Sequence, residues 1–222
     1  MIKIDKIVKS KRRTVGLEIA SDASLIIRAP RFASFGMIQK IVEEKQDWIY
    51  KKQAIARKKH AKTAPKKFLD GEAFLYLGNS YKLFIIDNIE QALVFEENFL
   101  LSRKHLENAK EKITDWYKKQ AYSKISERVQ RQASLAKLQY NKVAVTNAKK
   151  RWGSCSFKGN LNFAWRLIMA PLEVIDYVVV HEIVHLKEKN HSWRFWNEVE
   201  KMFPNYKQHR KWLKDNGHLM NL

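Results

Sequence analysis

The chain begins with short runs in which apolar and polar residues alternate, and this pattern predicts β-strands. Residues 15–19 and 25–29 both show this period of two, and Pro30 closes the second run. We interpret the first thirty residues as an antiparallel strand pair or a meander.

An amphipathic helix is predicted next. From Ser34 to Ile49 apolar residues recur every three to four positions, and the pattern then runs into basic sequence around residues 51–67. Pro65 marks a break in that stretch.

The middle of the chain returns to a strand pattern and then changes to a long helix. Residues 72–101 place aromatic and β-branched residues between the turn pairs Gly78-Asn79 and Asp87-Asn88, which predicts one or two hairpins. Residues 104–138 contain neither Gly nor Pro and carry one apolar face, which predicts a single long helix.

The C-terminal part combines a small sheet with further helices. Residues 143–145 read as a strand, and residues 152–157 and 161–167 read as a hairpin around a short turn. Past Pro171 the periodicity is helical to the end, with a break near Asn190 and a stop at Pro204.

Together these elements predict an α+β fold. We expect an N-terminal β-rich region with one helix, residues 1–103, packed on a mainly helical C-terminal domain, residues 104–222, that has a small antiparallel sheet.

The net charge of the chain indicates anionic binding partners. The 222 residues include 43 Lys and Arg against 23 Asp and Glu, a formal net charge of +20. Such an excess attracts nucleic acid, nucleotides or acidic protein segments, although a basic surface can also serve solubility alone.

Other features of the sequence indicate the cellular compartment of the protein. No apolar run approaches the roughly 20 residues that span a bilayer, and the N-terminus lacks the apolar stretch of a signal peptide. The single cysteine, Cys155, fits a reducing environment. We therefore expect a cytoplasmic protein without a membrane partner, whose metal site, if present, depends on His and carboxylates.

The candidate chemistry lies in residues 181–185, which read His-Glu-Ile-Val-His. This H-E-x-x-H spacing puts His181 and His185 one turn apart on the same face of a helix, so that both imidazoles can bind one ion. Glu182 lies about 100° around the helix, where it can act as general base on water at the metal.

A third ligand is needed to complete a catalytic zinc site. His191 follows the polar residues 186–190, where we expect the helix to end with Asn190 in a left-handed cap and the chain to reverse. The alternatives to His191 are Glu188, Glu198 and His209, and His191 could instead simply begin the next helix.

Three further segments carry open alternatives. The arm at residues 161–167 is a candidate edge strand for an extended peptide, or else a fully paired interior strand. Cys155 could ligate or block zinc, or be an inert buried thiol. We interpret the aromatic residues at 193, 195, 196 and 212 as core packing rather than as a nucleotide platform.

Three motifs together resemble the YgjP-like metallopeptidases: the string at residues 151–156, the run at 176–185 and the run at 190–196. The resemblance extends more weakly to the N-terminal strands and helix. It implies a minimal zincin unit related to SprT-like and Wss-type peptidase domains. In it His181, His185 and His191 would hold zinc and Glu182 would be the catalytic general base.

The leading hypothesis is therefore a zinc metallopeptidase acting on peptide or protein substrates, with Tyr177, Tyr206, His209 or Arg210 as candidates to stabilise the oxyanion. One alternative is a nucleotide phosphoanhydride hydrolase that uses the same metal site. Another is a basic, nucleic-acid-associated protein with protease activity on DNA-bound proteins.

Overall fold

The computed structural model describes residues 2–20, 22–61 and 65–222, with the side chains of 58–61 left out. It divides into two compact units between residues 64 and 65. Part of the basic stretch expected after the first helix, residues 62–64, lies outside the described residues.

The first unit combines a three-stranded sheet with two helices. Its elements are β1 (Lys6–Ser10), β2 (Gly16–Ile19), β3 (Leu25–Pro30), α1 (Phe35–Glu44) and α2 (Gln46–Ala61). The strand order is β1-β3-β2, with β1 parallel and β2 antiparallel to β3. The predicted antiparallel strand pair is confirmed by β2 and β3. The alternative meander is wrong, because β3 lies between β1 and β2. Ser34 caps α1 by accepting a hydrogen bond from the backbone N–H of Met37.

The second unit begins with a four-stranded sheet and the long helix. Its first elements are β4 (Ala73–Tyr76), β5 (Asn79–Ile86), β6 (Leu93–Phe95), β7 (Phe99–Ser102) and α3 (Ala109–Ala136). On the buried face of α3, Ile113, Ile125 and Val129 are fully shielded from solvent. The predicted helix is thus confirmed, although a separate turn at Arg103–His105 precedes it.

The position of the division between units differs from the expected boundary at residues 103 and 104. Tyr76, Phe95 and Phe99 of the four-stranded sheet pack their rings on Trp116 of α3 at 4.9–5.2 Å. These aromatic contacts place the sheet in the same unit as the helix, because both share one apolar core.

The rest of the second unit builds the surroundings of the H-E-x-x-H motif. Its elements are β8 (Lys142–Thr146), β9 (Gly153–Cys155), β10 (Asn160–Ala164), α4 (Leu172–Val184), α5 (Trp193–Met202) and α6 (Tyr206–Asn216). The hairpin between β9 and β10 and the three helices past Pro171 match the sequence prediction.

The small sheet is not antiparallel as expected, and it decides between the two alternatives for residues 161–167. Its order is β8-β10-β9, and β10 pairs antiparallel with β9 but parallel with β8, so the sheet is mixed rather than antiparallel. Strand β10 is therefore an interior strand, and the edge-strand interpretation of residues 161–167 is wrong. The two edge strands of this sheet are β8 and β9.

The α+β class is confirmed by six helices and three small sheets among the described residues. No helix of the described chain has both the length and the apolar character needed to cross a bilayer.

Candidate metal centre

Helix α4 holds the first two imidazoles in a rigid apolar setting. Most of its residues are buried, among them Val178, Val179, Val180 and Ile183 on the turns that flank the motif. His181 lies in the last helical turn and His185 is the C-cap residue, still in helical conformation at φ −64° and ψ −15°. The two side chains therefore emerge on one face of the helix, as the spacing of four predicts.

The segment after α4 returns His191 to this face without the cap expected at Asn190. Asn190 is not among the described residues with a positive φ angle. Instead, the backbone N–H groups of Lys187 and Glu188 both donate to the carbonyl of Val184, which tightens the chain directly after the helix. Asn190 Oδ1 then accepts from the backbone N–H of Ser192, which caps helix α5.

Three imidazole nitrogens converge at this point. His191 Nε2 lies 3.0 Å from His181 Nε2 and 3.2 Å from His185 Nε2. His181, His185 and His191 form a group of residues whose potential metal-ligating atoms all lie within 4.8 Å of one another. The alternative third residues Glu188, Glu198 and His209 are not part of it.

The spacing of these nitrogens fits a tetrahedral ion. With Zn–N distances of about 2.0–2.1 Å, neighbouring ligand atoms of a tetrahedron lie about 3.3 Å apart. His185 Nδ1 is 2.9 Å from the carbonyl oxygen of Glu188, and a carbonyl can only accept. The proton of His185 is thereby held on Nδ1, which leaves the Nε2 lone pair free for a metal.

Burial favours the neutral form of His181 and His185, the state in which an imidazole binds a metal. It lowers the pKa of His181 to about 3, with smaller contributions from His185, His191 and Arg210. Burial likewise lowers the pKa of His185. A neutral imidazole offers the lone pair that a protonated ring lacks.

Phe195 is the packing surface shared by all three rings. Its ring is fully buried, and its centroid lies 4.8 Å from His181, 4.5 Å from His185 and 4.8 Å from His191. The core role expected for this residue is observed, and the same packing fixes the ring orientations. The core interpretation is wrong for Trp193, whose side chain is 73% exposed.

Glu182 is a buried carboxyl directly beside this group. Its exposed fraction is 4%, and its Oε2 atom is buried with no hydrogen-bond partner in the described chain. Burial raises the pKa of Glu182 to about 8, partly offset by the positive charge of Arg151. An unpartnered buried oxygen is costly, so it indicates a group that is completed by water or a substrate.

Gly153 is a residue of the site that sequence reasoning missed. A Cβ atom built on Gly153 would lie 2.5 Å from Glu182 Oε1, too close for any side chain. Strand β9 can therefore pass over the carboxyl only because a glycine stands there. The string at residues 151–156 carried this signal, but spacing alone does not connect it to Glu182.

The candidate residues for oxyanion stabilisation differ in how they contact the three imidazoles. Tyr177 is 5% exposed, its ring lies 6.0 Å from that of His181, and burial raises its pKa to about 12. Arg210 stacks on Trp196 at 4.6 Å, and Trp196 stacks on His191. His209 packs on Phe203 instead.

Cys155 is half-buried, and burial raises the pKa of its thiol. It is not part of the group of candidate metal ligands in the described residues. Neither a ligand role nor a blocking role gains support from this placement.

A buried carboxyl next to three converging imidazoles belongs to one class of protein, the metal-dependent hydrolases. The comparisons with known proteins narrow this class. A family model described as "YgjP-like, metallopeptidase domain" matches residues 13–216, so the chain belongs to the YgjP-like metallopeptidase family. It is a metal-dependent peptidase, and its substrates are peptides or proteins.

Two solved structures of archaeal metallopeptidase zymogens are similar over part of the chain. The zymogen of abylysin from Pyrococcus abyssi is 28% identical, with a TM-score of 0.37, and the match covers 40% of this chain and 93% of that one. The zymogen of jannalysin from Methanocaldococcus jannaschii is 24% identical, with a TM-score of 0.36, over 43% and 96%. A comparison with curated proteins found no match.

Proposed function

We propose that this peptidase uses zinc, held by His181, His185 and His191, and that Glu182 is its general base. The observation that carries the proposal is the convergence of the Nε2 atoms of His181 and His185 with that of His191, beside the buried Glu182 carboxyl of helix α4. A set of three imidazole ligands suits zinc. When bound, the ion lowers the pKa of a water ligand to about 7 and polarises the scissile carbonyl.

Glu182 is the group that would move the proton. A cation nearby favours the ionised carboxylate over the protonated form that burial alone would favour. Its unpartnered Oε2 could then accept a proton from the attacking water and pass it to the leaving amine nitrogen.

Strand β9 supports an extended binding mode for the substrate. It is one of the two edge strands of the small sheet, and its residue Gly153 lies against Glu182. If an extended peptide paired with β9, the peptide backbone would pass close to the Glu182 carboxyl. The two alternatives were nucleotide hydrolysis at the same metal site and action on DNA-bound proteins. Both depend on the net charge to attract their substrates, and neither gains specific support from the described residues.

The first experiment is mass-spectrometric detection of new peptide termini after zinc-loaded protein is incubated with unfolded polypeptides. Glu182→Gln should retain the ion, measured by elemental analysis, and produce no new termini. The matched control is Glu173→Gln, which changes an exposed carboxylate at the start of the same helix and should cleave as the wild type does.

Two outcomes would contradict the proposal. Full activity of Glu182→Gln would remove the carboxyl from the mechanism. Retention of a full equivalent of zinc by both His181→Ala and His191→Ala would remove the proposed ligand set.

A further inference from the structure

A cavity of about 410 Å³ opens on the small sheet next to the candidate metal centre. Leu161 and Phe163 of β10 point to the opposite, buried face of the sheet and are fully shielded. The cavity is lined from the other face by Asn162 and Ala164, together with their cross-strand neighbours Ser154 and Thr146. Arg151, two residues before β9, also lines the cavity.

Gly153 separates this cavity from Glu182. Its backbone lines the cavity, while the side where a Cβ would point is filled by the carboxyl of Glu182. Only the thickness of one strand therefore lies between the cavity and the proposed general base. In an extended substrate, successive residues are about 3.3 Å apart and side chains alternate between faces. A side chain within a few residues of the scissile bond can reach the cavity.

The cavity is polar, and Arg151 gives its wall a positive charge. Arg151 is exposed and forms no ion pair within the described chain, and no acidic residue lines the cavity. The side chains of Ser154 and Asn162 likewise make no hydrogen bond to described residues. Lys149 and Lys150 precede Arg151, so the nearby charge is strongly positive.

We infer that this cavity is a substrate subsite for a carboxylate, with Arg151 as its ion-pair partner and Ser154 and Asn162 as hydrogen-bond donors. The inference rests on the proposed function, since it assigns a specificity to the same peptidase site. The carboxylate belongs either to an Asp or Glu side chain near the scissile bond or to the C-terminus of the peptide.

The donor set explains the choice of a carboxylate over a neutral side chain. A guanidinium offers a planar fork of N–H groups that matches two carboxylate oxygens, and such paired bonds are about twice as strong as neutral ones. The hydroxyl of Ser154 and the amide of Asn162 can satisfy the remaining acceptor sites. A cationic substrate side chain would face Arg151 without compensation.

The test uses a panel of paired quenched fluorescent peptides whose sequences are chosen before any cleavage site is known. Within a pair, one position holds Glu in one peptide and Gln in the other, and that position varies across the panel. Each peptide is made with a free and with an amidated C-terminus, which separates the two sources of the carboxylate. We expect the wild type to cleave the carboxylate-bearing member of a pair with a kcat/KM about 10-fold higher than that of the other member. This is a typical effect of one partly desolvated charged contact.

The variants Arg151→Gln and Arg151→Glu test the partner. We expect Arg151→Gln to reduce the ratio of the two kcat/KM values to about one and Arg151→Glu to reverse the preference toward the Gln-containing member. Since Arg151 also influences Glu182 electrostatically, absolute rates will change. The ratio between two peptides on the same variant cancels that effect. Lys150→Gln is the matched control, with the same loss of charge at a neighbour that does not line the cavity.

A binding measurement keeps the inference separate from the proposed reaction. Fluorescence anisotropy of the same peptides on metal-loaded Glu182→Gln should show tighter binding of the carboxylate-bearing member, and this difference should vanish when Arg151→Gln is added. Equal binding and cleavage of both members, or a preference that survives Arg151→Gln, would overturn the subsite. A binding preference that depends on Arg151, with no cleavage by the wild type, would retain the subsite and reject the peptidase mechanism.

Discussion

Gly153 and Glu182 meet so closely that a Cβ atom on the glycine would lie 2.5 Å from the carboxyl Oε1 and 2.6 Å from Cγ. The two residues come from an edge strand and a buried helix. The contact therefore fixes how the edge of the small sheet lies over the catalytic-site candidate.

Gly153→Ala should displace the Glu182 carboxyl or push β9 away from it. We expect kcat to fall on the order of 10²-fold, the usual cost of an ångström-scale misplacement of a reacting group. Overpacking should lower the free energy of unfolding by about 1–3 kcal/mol. Zinc content should not change. The control is Gly36→Ala, where a Cβ meets nothing within 4 Å. Unchanged kcat in Gly153→Ala would show that the contact does not position Glu182.

Phe195→Leu should loosen the three imidazoles, because their rings share the Phe195 surface. We expect zinc affinity to fall roughly 10–100-fold, as when outer contacts of a metal site are removed. Competition with a chromogenic chelator measures this. Val199→Ala, a truncation at another buried position of the same helix, should lower stability without a comparable loss of affinity.

Removal of the metal with a chelator should lower the melting temperature of the wild type. At free zinc a hundredfold above its Kd, binding stabilises the native state by about 2.7 kcal/mol, or roughly 5–10 °C for a chain of this size. In His181→Ala the chelator should cause no shift, whereas His209→Ala should respond as the wild type does. A chelator shift retained in His181→Ala would point to a metal bound elsewhere.

Arg128 and Asp176 join α3 to α4 through two hydrogen bonds of 2.8 and 2.9 Å, with 13% and 15% of their side chains exposed. Arg128→Met should destabilise the protein by roughly 2–4 kcal/mol, because it leaves a mostly buried carboxylate unpaired. The double variant Arg128→Met with Asp176→Leu should come within about 1 kcal/mol of the wild type. Denaturant unfolding of the wild type, Arg128→Met, Asp176→Leu and the double variant measures the coupling, and additive effects of the two single variants would contradict it.

The same pair predicts a pH dependence. Burial raises the pKa of Asp176 above its ordinary 3.8 even though Arg128 opposes this shift. The folded state then binds the proton more tightly than the unfolded chain. The contribution of this carboxyl to stability is therefore greatest at low pH and declines as pH rises through the raised folded pKa. The difference in unfolding free energy between wild type and double variant should decline over that range.

The helices of the C-terminal part were predictable because their signals are local. The apolar periodicity past Pro171, the break near Asn190 and Pro204 define α4, α5 and α6 closely. The H-E-x-x-H spacing likewise places two imidazoles on one helical face without any knowledge of the tertiary structure.

Features that depend on distant contacts could not be predicted in this way. An alternating strand pattern does not specify its partner, so the parallel pairing of β10 with β8 and the packing of residues 73–102 on α3 were missed. The contact between Gly153 and Glu182 joins residues far apart in sequence, and no periodicity records it.

The three imidazoles lie within the single stretch from 181 to 191, while the apolar core around them draws on strands and helices from the whole second unit. A metal held there cross-links only a few residues, and an unfolded chain keeps the same donors close enough to chelate the ion weakly. The chelator effect above is therefore an upper limit. We therefore expect the chain to reach its native fold before it binds the ion and to exchange the ion without unfolding.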